Sequence, residues 1–325
     1  MNSPKYLDLK NIIEANKFSM KALLLAHVTP DYDALGSLLA FAKILKRYNI
    51  PYHIAVDAAR IASYAFLHGF NELQEFDPNW EFNTVFMFDT PTFERTVVKD
   101  YLLQNRAKFQ LINIDHHLDN VIDGDFNLVE ERSSVGELLY FICQANGWEV
   151  DYEMATNIFC SMVGDTGGFR FNNTTADTFF VANECVKLGV KSYVFNELIF
   201  ENKKPEFFEV IKNSLVNLKI NWNSGYAYTF VLDDNPDYGH EIIDFIRKLE
   251  KIEVFLVFRK WKDNITKISL RSKHNFDVAA FSHQFNGGGH TKAAGINLEN
   301  TLDEAIEIII PALEKELLNF SRYGN

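Results

Sequence analysis

The sequence has few cysteines, no long apolar run and a shortage of basic residues. Its 325 residues include three cysteines, Cys143, Cys160 and Cys185. They form no Cys-x-x-Cys pair and lie among apolar residues at helical spacing, so we expect reduced core cysteines rather than disulfides or a zinc cluster. No apolar stretch approaches the roughly 20 residues of a membrane helix, and the first residues lack signal-peptide features. These absences predict a soluble, cytoplasmic protein with no membrane partner.

Acidic residues outnumber basic ones by 44 to 32, which gives a formal net charge of −12. Such a surface repels a long polyanion, so a nucleic-acid role would involve short pieces or a local basic pocket. With 47% hydrophobic and 23% charged residues the composition is that of a folded protein, and the length favours about two domains.

Strand-like and helix-like stretches alternate in the first part of the chain, which predicts a parallel α/β sheet with helices on both faces. The expected strands are residues 21–26, 52–56, 84–88 and 109–114, and the expected helices are 34–47 and 93–104. Residues 134–218 are mostly helical in pattern. Strands at 226–232, 254–261 and 265–271 and a helix at 302–318 then predict a smaller α/β domain across a cleft. We expect a catalytic domain at 1–190, a helical linker at 191–222 and a second domain at 223–325.

Three predicted strands run directly into residues that can bind a metal. They are followed by His27, by Asp89 and by Asp115-His116-His117. Ligands of open parallel sheets bind at the carboxyl ends of the strands, so these side chains should meet at one edge. Asp31 and Asp33 follow His27, and Asp165 lies in a later Gly-Asp-Thr-Gly-Gly turn.

Carboxylates with a minority of imidazoles suit manganese or magnesium. At least five carboxylates at one edge would repel one another strongly without cations, so the cluster predicts more than one metal. Two divalent ions that share a carboxylate can generate a hydroxide for displacement at phosphorus. The implied reaction is hydrolysis of a phosphate ester.

Each of these features also has an ordinary structural interpretation. Asp31 and Asp33 could only initiate the helix at Ala34, and Asp89 could be a turn residue. Ser134 begins a Ser-x-x-Glu capping box, although a helix N-terminus can also hold a phosphate. The metal hypothesis is favoured because independent turn signals would not coincide at successive strand ends.

These motifs resemble those of the DHH phosphoesterase family, and the resemblance covers nearly the whole chain in the family's order. The matching segments are His27-Val28-Thr29-Pro30-Asp31-Tyr32-Asp33, Asp89-Thr90, Asp115-His116-His117 and Gly164-Asp165-Thr166-Gly167. Gly287-Gly288-Gly289-His290 is similar to the GGGH signature of the DHH-associated domain.

The resemblance implies a role for each of these residues. Its metal ligands would be His27 and Asp31 for one manganese ion, Asp33, His116 and Asp165 for the other, and Asp89 as a bridge. Magnesium or cobalt are alternative ions. The catalytic set would add Asp115, which orients His116, and His117, which faces the scissile phosphate. The implied substrate-binding residues are Arg271, Gly288, Gly289, His290 and Ser134.

Length, two-domain layout and the GGGH motif are similar to those of the family's compact nanoRNases and pAp phosphatases. The resemblance therefore implies a manganese-dependent hydrolase that degrades very short oligoribonucleotides to mononucleotides. It also implies removal of the 3′-phosphate of 3′-phosphoadenosine 5′-phosphate (pAp), and a homodimer, since relatives often dimerise. An inorganic pyrophosphatase or exopolyphosphatase, a linear or cyclic dinucleotide phosphodiesterase, and a non-catalytic nucleotide sensor stay open as alternatives.

Overall fold

The structure is a computed structural model that describes residues 4–57, 59, 61–232, 238–262, 264–318 and 320. It describes only the backbone of His240, Lys262 and His290. The chain divides into two compact units, Met1–Asn202 and Lys203–Asn325.

The first unit contains a parallel sheet of six strands. Its spatial order is β3-β2-β1-β4-β5-β6, and every neighbouring pair is parallel. All five residues of β4 are buried, as expected for a parallel sheet that is covered on both faces. The strands are β1 (Ala22–Leu25), β2 (Tyr52–Ala55), β3 (Leu73–Gln74), β4 (Thr84–Phe88), β5 (Gln110–Asp115) and β6 (Phe126–Val129).

Helices cover both faces of this sheet. The large core lies on the side of Leu24, Phe86 and Ile112, and helices α1, α2, α4, α5 and α6 contribute to it. The smaller core lies on the side of Leu23 and Val85 and receives Leu102 of α3. The helices are α1 (Pro4–Asn16), α2 (Tyr32–Arg47), α3 (Lys99–Asn105), α4 (Val135–Asn146), α5 (Tyr152–Asp165), α6 (Ala176–Lys187) and α7 (Ser192–Asn196).

The second unit contains a mixed sheet of six strands in the order β11-β12-β10-β9-β8-β7. Strands β8 and β9 pair in parallel, and the other neighbouring pairs given by this order are antiparallel. Helices α10 and α11 cover one face and α8 and α9 the other. The elements are α8 (Pro205–Val216), β7 (Lys219–Asn221), β8 (Tyr226–Val231), α9 (Tyr238–Ile246), β9 (Val254–Lys262), β10 (Ile265–Ser272), α10 (Val278–His283), β11 (Gly288–His290), β12 (Ala293–Leu298) and α11 (Leu302–Leu318). A parallel-sheet α/β domain with a second α/β domain is thus confirmed.

Two predicted segments differ in detail. The helix expected at 93–104 is broken into a 3-10 turn, Phe93–Arg95, and α3, because Thr96 pairs with His27 in an isolated β-bridge and cannot be helical. Residues 191–222, expected as a helical linker, are shared between the units. Phe195 packs into the first unit's large core, and Phe207 packs into a core of the second unit.

Among the described residues, no helix is both long enough and apolar enough to cross a membrane. The three cysteines are free and buried, as expected.

The order of the parallel strands reverses direction between β1 and β4. Loops that follow two strands at such a reversal turn to opposite sides and leave a crevice at the carboxyl edge of the sheet. His27 follows β1 and Asp89 follows β4. The fold therefore places two of the predicted ligands at the position where an open parallel sheet binds its ligand.

Candidate metal centre

The first group of potential ligands lies at the end of β1. His27 Nε2 is 3.7 Å from Asp31 Oδ2 and 3.5 Å from Asp89 Oδ2. Asp31 is also the N-cap of α2, because its Oδ1 accepts hydrogen bonds from the backbone N–H groups of Asp33 and Ala34. The capping interpretation and the ligand interpretation of Asp31 are therefore compatible, since each uses a different carboxylate oxygen.

The second group lies beside the first. His116 Nε2 is 3.6 Å from Asp33 Oδ2, 3.3 Å from Asp165 Oδ2 and 3.4 Å from Asp89 Oδ1. Asp89 thus presents one oxygen to each group. The potential ligand atoms within each of the sets His27–Asp31–Asp89 and Asp33–His116–Asp165 lie within 4.8 Å of one another.

Asp89 is held in an unusual backbone conformation at the centre of the site. Its φ is 49°, a left-handed value that costs a non-glycine residue about 1–3 kcal/mol. The backbone N–H of Asp89 donates to Ile114 O of the neighbouring strand β5, and the hydroxyl of Thr90 donates to Phe88 O. These contacts fix the turn at the end of β4, so the side chain points between the two groups.

The donor set fits divalent cations. Among the described residues, buried Asp89 Oδ1 has no hydrogen-bond partner, although a buried carboxylate oxygen normally has one. All five carboxylate–imidazole distances given above are longer than an ordinary N–H···O hydrogen bond. They leave room between oxygen and nitrogen ligands that suit manganese or magnesium.

The electrostatics show how strongly the cluster depends on cations or protons. Burial raises the pKa of Asp33 to about 7, and the charge of Asp89 adds to the effect. Burial and the charge of Asp33 likewise raise the pKa of Asp165. Burial lowers the pKa of His27, but the nearby carboxylates of Asp31 and Asp89 outweigh it and raise the value to about 10. Without a metal, protons on imidazoles and carboxyls neutralise the site.

Asp33 is also anchored to the N-terminus of α4. Its Oδ2 accepts from Val135 N at 2.7 Å, and its Oδ1 accepts from Gly136 N at 3.1 Å and from the Ser161 hydroxyl at 2.6 Å. A Cβ on Gly136 would lie 2.1 Å from Ser161 Oγ, so glycine is required for this approach. Ser134 is fully buried and caps α4 by accepting from Glu137 N. This arrangement supports the capping interpretation of Ser134.

Asp115 is fully buried and contacts both histidines of its motif. Its Oδ1 accepts from the backbone N–H of His116 at 2.7 Å and lies 2.8 Å from Nδ1 of His117. The ring of His116 instead contacts Arg132 O through Nδ1, at 3.1 Å. The structure therefore differs from the expectation that Asp115 orients the His116 ring, because the carboxylate lies against the ring of His117.

The second unit carries the remaining predicted residues. Arg271 lies in β10, and its Nη1 donates to Leu270 O. Gly288 and Gly289 form β11, which pairs with β12. The side chain of His290 lies outside the described part of the structure. His290 and Arg271 both pair with Ala293 through their backbones, so the two positions flank the same residue of β12.

Sequence reasoning did not identify three residues that support the site, namely Asn120, Arg132 and Ser161. Ser161 carried a local signal, because it is a polar residue in an apolar helix four positions before Asp165 and thus on the same helix face. Arg132 contacts His116 through a backbone carbonyl, which no side-chain pattern reveals. Asn120 lies in the polar loop after β5, where its side chain gave no distinct signal.

Comparison with known proteins gives the family. Residues 21–162 match the DHH family, N-terminal domain, and residues 223–317 match the DHHA1 domain. The chain is 30% identical to the bifunctional oligoribonuclease and PAP phosphatase NrnA of Bacillus subtilis, over 88% of this chain and 92% of that protein. It is 27% identical to the protein of the same name from Thermus thermophilus, over 90% of this chain and 88% of that protein.

A solved structure shares the complete fold. The exopolyphosphatase-related protein from Bacteroides fragilis superposes with a TM-score of 0.86 at 21% identity, over 98% of both chains. Fold, site and relatives together define the class of protein, a hydrolase of phosphate esters. The chain belongs to the DHH family and carries a DHHA1 domain in its second unit.

Proposed function

We propose that this protein is a manganese-dependent phosphohydrolase. It degrades very short oligoribonucleotides to mononucleotides and removes the 3′-phosphate of pAp. The observation that carries the proposal is the pair of ligand groups that share Asp89, His27–Asp31–Asp89 and Asp33–His116–Asp165. These two groups would hold two cations, and Asp89 would contribute to both.

The residues divide the work between binding the cations and orienting the substrate. When bound, two divalent cations supply Lewis acidity that activates a water and neutralises phosphate charge. Asp33 keeps its place through three hydrogen bonds, two of them from the N-terminus of α4, so its ligand position is fixed before a cation arrives. His117 faces the scissile phosphate in this proposal, with its ring fixed by Asp115 at Nδ1.

The second unit would bind the phosphates of the substrate. Arg271 offers a planar pair of donors that suits a phosphate. Gly288 lies at a position where a Cβ would meet only His283 at 3.7 Å, so the protein's own packing does not require glycine there. An unoccupied side-chain position allows the backbone of β11 to approach an anion. His290 completes the proposed set.

The preference for short substrates is supported by the charge and by the relatives. A net charge of −12 gives no general attraction for a long polyanion. The two curated relatives are named for oligoribonuclease and PAP phosphatase activity. One or two phosphates held by cations and by Arg271 are enough for a dinucleotide, a trimer or pAp.

A single set of hydrolysis assays tests the proposal. The purified protein is given a 5′-labelled RNA trimer, a long single-stranded RNA, pAp and pyrophosphate, each with manganese and with a chelator. We expect manganese-dependent turnover of the trimer and of pAp, and weak action on the long strand. Turnover of pyrophosphate alone would leave the metal centre intact and refute the proposed substrates. Undiminished turnover in chelator would refute the metal centre.

A further inference from the structure

Asn120 links the loop after β5 to the buried carboxylate of Asp115. Its Nδ2 donates a hydrogen bond to Asp115 Oδ2, and it also donates to Thr90 O at 3.2 Å. Its Oδ1 accepts from Ile122 N at 2.9 Å and from Asn113 Nδ2 at 2.9 Å. The side chain therefore contacts the turns that follow both β4 and β5.

These partners determine which way the Asn120 amide faces. The backbone N–H of Ile122 is only a donor, so the atom of Asn120 that faces it must be the oxygen. Thr90 O is only an acceptor, so the atom that faces it must be the nitrogen. The same nitrogen then meets Asp115, and the nearby oxygen of that carboxylate must accept.

The other oxygen of Asp115 is constrained in the same way. Oδ1 accepts from the backbone N–H groups of His116, at 2.7 Å, and His117, at 3.2 Å. With donors on both oxygens, the carboxylate is an acceptor throughout. The proton between Asp115 and His117 must therefore reside on His117 Nδ1, 2.8 Å away.

We infer that Asn120 is a positioning residue, which fixes the orientation and the Nδ1–H state of His117 through Asp115. The inference rests on the proposed function for the role of His117, but not for the geometry. Removal of the Asn120 amide frees Asp115 Oδ2 and lets the carboxylate and the ring of His117 turn together. Partners of this kind, one step behind a functional side chain, typically contribute 10- to 100-fold to activity.

Two substitutions separate positioning from a purely structural role. Asn120→Asp keeps the oxygen that accepts from Ile122 N, so it preserves the contact within its own loop. It places a second oxygen against Asp115 and loses the donor to Thr90 O. Asn120→Ala removes both functions. If Asn120 had a purely structural role, kcat should fall less in Asn120→Asp than in Asn120→Ala. If Asn120 positions His117, kcat should fall at least as much in Asn120→Asp, because the new carboxylate would repel that of Asp115 at the same contact.

The experiment measures trimer hydrolysis, manganese affinity and the Nδ1 proton of His117. That proton is observed by NMR in protein labelled with ¹⁵N-histidine and loaded with magnesium, and it is assigned with His117→Gln. For both Asn120 variants we expect kcat to fall about 10- to 100-fold with KM unchanged, and the Nδ1 proton resonance to shift or vanish. Metal affinity should be retained, because Asn120 contacts none of the proposed ligands in the described structure.

Asn127→Asp is the matched control. Asn127 contacts Asn113 Nδ2 at 3.3 Å, so this variant makes the same chemical change one amide further from Asp115. It should keep the His117 resonance and most of kcat. Wild-type kinetics in Asn120→Asp, or equal losses in Asn127→Asp, would overturn the inference. If the wild type does not hydrolyse the trimer, the proposed function fails, and the His117 resonance still decides the positioning role.

Discussion

At the scale of single residues, Asp89 determines whether the centre can hold two cations. It is the one predicted ligand with an oxygen near each group, at 3.5 Å from His27 Nε2 and 3.4 Å from His116 Nε2. Burial opposes its ionisation, but the nearby imidazoles of His116 and His27 hold the pKa of Asp89 well below its usual range. The central carboxylate is therefore charged before any cation arrives.

Substitution Asp89→Asn tests this role with little change of shape. Asparagine tolerates the left-handed backbone conformation of residue 89, so the fold should be retained. We expect manganese-dependent hydrolysis to fall to background and affinity for both ions to weaken, measured by calorimetric titration. Asp8→Asn, at an exposed position of α1, is the control and should match the wild type. Retained turnover in Asp89→Asn would refute a shared carboxylate.

The pKa of His27 predicts how metal affinity depends on pH. The nearby carboxylates of Asp31 and Asp89 overcome the effect of burial and raise that pKa from 6.5 to about 10. In metal-free protein the stabilisation from this proton is complete below about pH 6.5 and is lost as the pH rises through about 10. A cation must displace the proton, so metal affinity should increase with pH.

Thermal melts at pH 6.5, 7.5 and 8.5, with and without magnesium, measure this linkage. The increase in melting temperature on addition of magnesium should grow with pH, because each displaced proton contributes about tenfold in affinity per pH unit. The pKa of His116 is raised as well, so His27→Asn should reduce the slope without abolishing it. An increment that is constant or shrinks with pH would contradict the protonated site.

At the scale of secondary-structure elements, the sequence predicted what depends on local pattern. Continuous apolar runs identified β1, β4 and β5, because strands buried on both faces have no polar alternation. The helix expected at 93–104 was wrong, since a tertiary pairing of Thr96 with His27 overrides local helical periodicity. The ligand types were readable from strand ends. The sequence could not predict the Asp115–His117 contact or the role of the Asn120 amide, because both depend on side-chain orientation in a folded loop.

The β11–β12 hairpin offers a prediction about two adjacent glycines. Gly289 has φ 139°, and a Cβ there would lie 2.4 Å from Ala293 O, so Gly289→Ala should destabilise the second unit by about 1–3 kcal/mol. Gly288 has room for a Cβ, so the free energy of unfolding of Gly288→Ala should lie within about 0.5 kcal/mol of the wild-type value. If β11 binds phosphate, Gly288→Ala should nevertheless raise KM for the trimer. Urea unfolding and steady-state kinetics measure both effects, and an unchanged KM in Gly288→Ala would count against a phosphate site at this strand.

At the scale of the whole molecule, charge and domain content set which substrates can be held. The negative charge lies almost entirely in the first unit, which has 27 acidic and 16 basic residues and contains the carboxylate–imidazole centre. The second unit has 17 acidic and 16 basic residues, so it is nearly neutral, and it contains Arg271 and β11. Attraction for phosphate is therefore expected from local sites rather than from the overall field. Such sites saturate with one or two phosphates.

The salt dependence of KM tests this view directly. The affinity of a protein that binds a long strand through many phosphates falls about 10³- to 10⁵-fold between 50 and 200 mM salt. For the trimer we expect a shallow dependence, since at most about two phosphates meet cationic side chains and the slope scales with that number. A long single strand added as competitor should inhibit weakly even at low salt, because the net negative charge of the protein gives no general attraction for a long polyanion. Steep salt dependence, or strong inhibition by the long strand at low salt, would indicate an extended basic binding surface. Long single strands, rather than very short oligoribonucleotides, would then be the favoured substrates.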